Sequence, residues 1–249
     1  MKKRAEKVVC IVQARMGSTR LPGKIFLKLS GKPVLEHVVS RLQLAKRLDA
    51  IVVAAPVSPE NDRIERFIKT RFPDIMVYRG SERDVLDRYY RAAKVATADI
   101  VVRVTSDCPL IDPNLVDRVV VALQQDVDYA SNTFPTRTYP RGMDTEVIRM
   151  NALARLWCKA TSADDREHVT LYLRMHPHLF SVASVKNPTD FSRYRLTIDE
   201  PLDFQFLTSL YRYFRAGSIP YLRNVMTILK AHPELAKINM EVKQKHATV

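Results

Sequence analysis

Apolar positions in the first half of the chain follow two alternating rhythms. VVCIVQA (8–14), AIVVAAP (50–56), DIMVYRG (74–80) and DIVVRVTSD (99–107) are short, largely β-branched runs of the kind that form strands buried on both faces. Between them, VLEHVVSRLQLAK (34–46), the stretch from Pro59 to about Thr70, ERDVLDRYYRAAKVA (82–96) and IDPNLVDRVVVALQQ (111–125) space their apolar residues as helices do. Pro33 and Pro59 stand where a helix begins, and the acids Glu60 to Asp62 lie where the helix dipole favours them. Strand, loop and helix repeated in this order predict a Rossmann-like α/β fold, with a mostly parallel sheet covered by helices on both faces. Ligands of such sheets sit at the carboxyl ends of strands, so the loops after residues 14, 56, 79 and 106 should converge on one crevice.

Beyond about residue 127 the alternation breaks down. YASNTFPTRTYPRGMDTEVIRM (129–150) reads as irregular loop and strands, or a hairpin. NALARLWCKA (151–160) and DREHVTLYLRM (165–175) are helical, FSVASV (180–185) and YRLTID (194–199) strand-like, and PLDFQFLTSLYRYFRA (201–216) an amphipathic helix, with further helix from Tyr221. Residues 1–249 are expected to form a single domain, with a smaller inserted lobe or dimerisation arm around 128–195. With 249 residues, 46% of them hydrophobic and 27% charged, the chain has the composition of a globular protein rather than a disordered one. No apolar run approaches the roughly 18–20 residues that span a bilayer. The short apolar stretch near the N-terminus lacks the features of a signal peptide, so a cytoplasmic setting without membrane association is expected. Cys10, Cys108 and Cys158 are sparse and unpaired in spacing, which fits neither a disulfide framework nor a zinc site.

Charge changes the picture more. The net charge is +13, and the first 50 residues hold twelve Lys or Arg against three Asp or Glu. An anionic partner is therefore expected, although solvated lysines such as Lys2, Lys3 and Lys46 are the plain alternative. The segment QARMGSTRLPGK (13–24) resists that alternative. It follows a buried strand directly. Gly17 and Gly23 let a ligand approach the backbone closely, Ser18 and Thr19 add hydroxyls, and Arg15, Arg20 and Lys24 surround the loop with cations. Such a loop suits a triphosphate. It is not a Walker loop, because the GxxxxGK[ST] spacing is missing and Ile25 follows the lysine.

Two acidic segments accompany it. Asp107, in VTSDCPLID, closes a predicted strand and is placed to hold a metal ion or a ribose, with turn-capping as the alternative, while Asp112 before Pro113 reads as a helix N-cap. Asp199, in LTIDEPLD, is as compatible with an N-cap as with a metal ligand.

Taken together, QARMGSTRLPGK, GKPVLEHVVSRL, RGSERDVLDRYYRAA, TSDCPLID, REHVT and TIDEPLDF resemble the cytidylyltransferases of the spore coat polysaccharide type. These are relatives of the synthetases of CMP-3-deoxy-manno-octulosonate and CMP-sialic acids. The likeness spans roughly residues 8–210 and implies CTP as donor, Mg²⁺ as cofactor, a sugar or keto-sugar acid as acceptor, and a homodimer. It places Arg15, Ser18, Arg20 and Lys24 on the triphosphate, and Gln13, Ala14, Gly80 and Ser81 near cytosine and ribose, with Gly17 in the same nucleotide-binding set. It makes Asp107 and Asp199 the metal aspartates, and Arg15, Lys24, Asp107 and Asp199 the catalytic group.

Arg137, Arg141, Asp144 and Glu146, with Arg166, Glu167 and His168 on a predicted helix, are candidates for the acceptor's carboxylate and hydroxyls. Ordinary salt bridges are the alternative for each, and His168 stands between a base and a structural histidine. Asp144 and Glu146 would share one face if their segment is a strand. Rival readings are a nucleotidyltransferase with another base or with a phosphate or phosphonate acceptor, and a nucleic-acid-binding protein. The latter lacks an aromatic stacking pattern, a zinc finger or a helix-turn-helix.

Overall fold

The structure is a computed structural model and describes residues 5–124, 126–215 and 217–244. Four strands form the parallel half of a seven-stranded sheet: β1 (Val8–Gln13), β4 (Ala50–Pro56), β5 (Met76–Gly80) and β6 (Ile100–Thr105). They lie in the order β5-β4-β1-β6, with β1 hydrogen-bonded to β4 on one side and β6 on the other. This is the expected Rossmann-like arrangement. A short hairpin, β2 (Lys28–Leu29) and β3 (Lys32–Pro33), stands apart from the main sheet. Ser30 and Gly31 turn it with positive φ of 48° and 82°, as a two-residue hairpin loop requires.

Alternation along the strands sorts the core into two layers. Cys10, Val12, Val53, Val102 and Val104 face one side. There they meet α1 (Val34–Leu42), α2 (Asp62–Arg71), α4 (Pro113–Ala122), α8 (Pro201–Tyr211) and α9 (Leu222–Ala231). Their neighbours Val9, Ile11, Val52, Ala54 and Val101 face the other, against α3 (Val85–Val95), α5 (Met150–Lys159) and α7 (Leu171–Met175). A strand apolar at every position is thus explained by burial from both sides. The short helix α10 (Pro233–Lys237) packs on α8 and α9.

Residues 128–195 extend this same sheet. β7 (Tyr129–Ser131) and β8 (Glu146–Arg149) form the hairpin read from the sequence, and β8 runs antiparallel to β6. β9 (Val182–Ser184) adds to the outer edge beside β7. The segment therefore shares the core rather than enclosing one of its own.

Two sequence expectations need correcting. YRLTID (194–199) is buried but forms no strand. Its backbone makes one parallel bridge, Arg141 with Arg195, because its partner segment bends at Gly142, where φ is +91°. DREHVTLYLRM is not one helix. It splits into α6 (Ala163–His168) and α7 at Val169, whose φ is 55°, and the break carries the Thr170 hydroxyl to Glu146 at 2.7 Å. Among the described residues no helix is long and apolar enough to cross a membrane.

Candidate active site

The loop after β1 is held in shape by its own short bonds. The Leu21 amide donates to Ser18 Oγ at 3.3 Å, and Gly23, at φ 66°, returns its amide to the Met16 carbonyl at 3.3 Å. From below, the buried Asn61 accepts the Met16 amide at 2.8 Å. That is the contribution of the loop after β4: it supports the basic loop and does not itself line the cavity, contrary to the expected convergence of all four loops. The N–H groups of Gly17, Ser18, Thr19 and Arg20 have no acceptor among the described residues. Amides without an internal acceptor, next to Arg15, Arg20 and Lys24, are an arrangement suited to phosphate oxygens.

The loop opens on a cavity of about 820 Å³. Gln13, Arg15, Gly17, Ser18, Arg20 and Lys24 line one wall, with Thr19 beside them. Thr105, Asp107 and Cys108 come from the end of β6, and Thr197 and Asp199 from the segment before α8. Glu82 represents the turn after β5, and Arg141, Gly142, Asp144, Glu167 and His168 complete the far side.

At its centre, Lys24 Nζ donates to Asp107 Oδ2 at 2.5 Å, Asp199 Oδ1 at 2.8 Å and the Ile198 carbonyl at 2.8 Å. Burial alone would raise the Asp107 carboxyl, but Lys24 beside it and the Thr105 hydroxyl hold it down at about 2. The same two carboxylates outweigh burial at Lys24 and raise its ammonium above the ordinary lysine value. Asp107 is fixed further by its carbonyl, which accepts from the Ile198 amide at 2.9 Å and from Thr197 Oγ1 at 3.2 Å. Those bonds tie the two aspartate segments together.

Asp199 is oriented by Arg195, whose Nη2 lies 2.6 Å from Oδ2, and by Arg20 at 3.2 Å. The fully buried Asp203 accepts the Asp199 and Glu200 amides and the Arg195 Nε, so it caps α8 and sets Arg195 at once. Asp199 is therefore not the N-cap of α8; Glu200 holds that position. Asp112 does cap α4, accepting the Asn114 amide at 2.9 Å.

The remaining candidates divide. Ala14 is buried and bonded to Ala54, so only Gln13 of that pair lines the cavity. Its Oε1 is buried without a partner among the described residues, an acceptor left open for a ligand donor. Gly80 and Ser81 shape the turn without lining the cavity: a Cβ at Gly80 would come within 2.9 Å of Tyr78, and Ser81 Oγ accepts the Asp84 amide at 3.0 Å. Of the acceptor candidates, Arg141, Asp144, Glu167 and His168 line the cavity. Arg137 stands behind Asp144, gripping both its oxygens at 2.5 and 2.7 Å.

Glu146 and Arg166 are corrections. Glu146 is buried away from the cavity, paired with Arg103 and accepting from Tyr129 at 2.5 Å and Thr170 at 2.7 Å. Burial would raise its carboxyl, but Arg103 and these hydroxyls lower it. Asp144 lies outside β8, so the two acids do not share a strand face. Arg166 spends its guanidinium on Asp84, the N-cap of α3, and on the Trp157 carbonyl at 2.7 Å.

Sequence reasoning assigned no role to Thr105, Thr197, Arg195, Asp203, Gly142 or Glu82. Only Gly142 and Asp203 carried a local signal, a glycine after arginine and an acid three residues past a helix cap. Cys108, next to Asp107, is a buried thiol pushed up first by burial and then by Asp107, which is the state of an unreactive cysteine.

Asp107 Oδ2 and Asp199 Oδ1 converge on one cationic atom, and two carboxylates so aimed, completed by phosphate oxygens and water, are a donor set that suits Mg²⁺. Among the described residues no cluster of three or more His, Cys, Asp or Glu forms an all-protein cage.

The chain is 35% identical over 239 residues to the spore coat polysaccharide biosynthesis protein SpsF of Bacillus subtilis, covering 92% of this chain and 96% of that one. It is 27% identical over 194 residues to a 3-deoxy-manno-octulosonate cytidylyltransferase of Solibacter usitatus, covering 72% and 75%. Its structure matches that of a cytidylyltransferase from Leptospira borgpetersenii with a TM-score of 0.88 at 34% identity, covering 97% and 100% of the two chains. The family model for cytidylyltransferases matches residues 9–247, and the chain belongs to the cytidylyltransferase family as a CTP-using nucleotidyltransferase.

Proposed function

We propose that the enzyme transfers the cytidylyl group of CTP to a sugar or keto-sugar acid, giving a CMP-sugar and pyrophosphate for surface polysaccharide or glycan synthesis. The observation that carries this reading is the Lys24 ammonium clamped by Asp107 and Asp199 at the mouth of a loop with free amides. Similarity to a spore coat polysaccharide protein and to an octulosonate cytidylyltransferase supports the acceptor class.

An acceptor hydroxyl oxygen attacks the α-phosphorus of CTP and gives up its proton to solvent, the bond to the bridging oxygen breaks, and pyrophosphate leaves with that electron pair. The Gly17 to Arg20 amides, Arg15 and Arg20 hold the phosphates. Lys24, released from the aspartates by the incoming anion, neutralises charge on the leaving group. Asp107 and Asp199 would hold Mg²⁺, which supplies charge neutralisation at the phosphates when bound. Gln13 Oε1 accepts from a donor on the nucleotide. Positioning and electrostatics provide most of such catalysis. The homodimer and cytoplasmic setting expected from the family likeness belong to the same proposal.

The test is a thermal-shift panel of the four ribonucleoside triphosphates, followed by pyrophosphate release with keto-sugar acids. A shift selective for CTP and release with a sugar acid are expected. Equal shifts with all four triphosphates would overturn the base preference, and release only with non-sugar acceptors would overturn the acceptor class.

A further inference from the structure

A second pocket of about 350 Å³ adjoins the catalytic cavity, and Arg141 and Gln244 line both. Its volume lies within the roughly 300–1,000 Å³ of small-molecule sites. Charge sets the two apart. The catalytic cavity places Asp and Glu side chains among its cations, whereas the second pocket presents Arg141, Arg193, Arg195 and Lys237 with no Asp or Glu among the described residues that line it.

Arg195 is already committed to Asp199, Asp203 and Gln244. The other three cations make no ion pair with the described residues, although Asp144 and Asp199 offset part of the repulsion on Arg141. Arg193 donates to the Tyr194 hydroxyl at 2.9 Å, and Arg141 and Lys237 have no ion-pair partner among the described residues. Burial and the neighbouring Arg137 both press against the charge on Arg141, a penalty that a bound anion would relieve. Phe206 and Met240 give the pocket apolar surface suited to a carbon skeleton.

We propose that this pocket holds the anionic end of the acceptor, a sugar derivative whose phosphate or carboxylate lies beyond Arg141 from the attacking oxygen. The inference rests on the transferase reading, because an acceptor entering the catalytic cavity is what spans both chambers. It separates acceptors with a remote anion from those whose only charge adjoins the nucleophile.

The test is calorimetric titration in EDTA, which prevents metal-dependent turnover, with and without saturating CTP. The probes are a hexose 6-phosphate, a hexuronate, inorganic phosphate and an uncharged hexose. Wild type is compared with the Arg193→Ala/Lys237→Ala double variant, both exposed positions. At least one anionic sugar should bind in the presence of CTP, more tightly than the uncharged hexose, and weaken by about tenfold or more in the variant. Preference for the hexose phosphate or the hexuronate identifies the anion. Binding unchanged in the variant, displacement by CTP, or no preference over the uncharged hexose would each overturn the proposal, as would no binding of either anionic sugar. CTP binding, read in the same titrations, is independent of these outcomes, so loss of the transferase reading would register separately.

Discussion

Lys24 Nζ lies 2.5 Å from Asp107 Oδ2, across a sequence separation of 83 residues, and the same ammonium reaches Asp199 at 2.8 Å. This lysine occupies the point on which two carboxylates converge. On the proposed reading, a bound triphosphate would draw the ammonium toward its oxygens and Mg²⁺ would take its place between the carboxylates. The clamp keeps three charged groups organised before substrate arrives.

Lys24→Ala is expected to lower kcat for pyrophosphate release by about 10²–10³, the usual cost of losing one group that stabilises charge in the transition state. Steady-state kinetics with saturating CTP and Mg²⁺ check this, and unchanged turnover would remove Lys24 from the leaving group. Adding EDTA to wild type should abolish turnover in the same assay, with recovery on excess Mg²⁺.

The Asp107 shift fixes the sign of an acid effect. Its carboxyl drops from the ordinary 3.8 to about 2 in the folded protein. A depressed carboxylate stabilises the fold fully above its unfolded value and loses that contribution as pH falls through the folded one. The stability difference between wild type and Asp107→Asn should thus shrink by about 2 kcal/mol between pH 5 and pH 2. Urea unfolding of both proteins across that window reads it directly; a difference independent of pH would contradict the pairing.

Glu146→Gln should damage the fold rather than substrate recognition. It leaves Arg103 without its buried counter-charge, a loss of about 3 kcal/mol, or roughly 6–12 °C in the unfolding midpoint for a chain of this size. The folded variant should keep the wild-type KM for the acceptor. A raised acceptor KM with unchanged stability would return Glu146 to the binding site.

Gly142→Ala tests the contact between the Arg141 segment and the second aspartate segment. At φ +91°, an added Cβ would fall 2.5 Å from the Leu196 carbonyl carbon, and backbone cannot yield as a flexible side chain does. We expect a fall in thermal stability together with a decrease in kcat/KM of at least about tenfold, since the bridge that positions Arg141 must open. Stability and kinetics at wild-type level would show that the bend is dispensable.

Local pattern determined a great deal about this protein. Near-continuous apolar runs in VVCIVQA and AIVVAAP required strands buried on both faces, and the Gly- and Arg-containing loop after the first of them lines the main cavity with its cations. Asp112 before Pro113 was legible as a cap for the same reason: capping is settled within a few residues.

What only the tertiary structure decided was how equivalent side chains were spent. Asp144 and Glu146 are two residues apart, yet one lines the cavity and the other is buried against Arg103. Arg137 and Arg141 look alike in sequence, but Arg137 is taken by Asp144 and Arg141 is left beside two pockets. Strand YRLTID had the right apolar residues and formed no strand, because Gly142 bends the segment it would have paired with. Hydrophobic periodicity is a property of neighbours along the chain. Charge pairing is a property of neighbours in space, and here it joins Lys24 to partners 83 and 175 positions away.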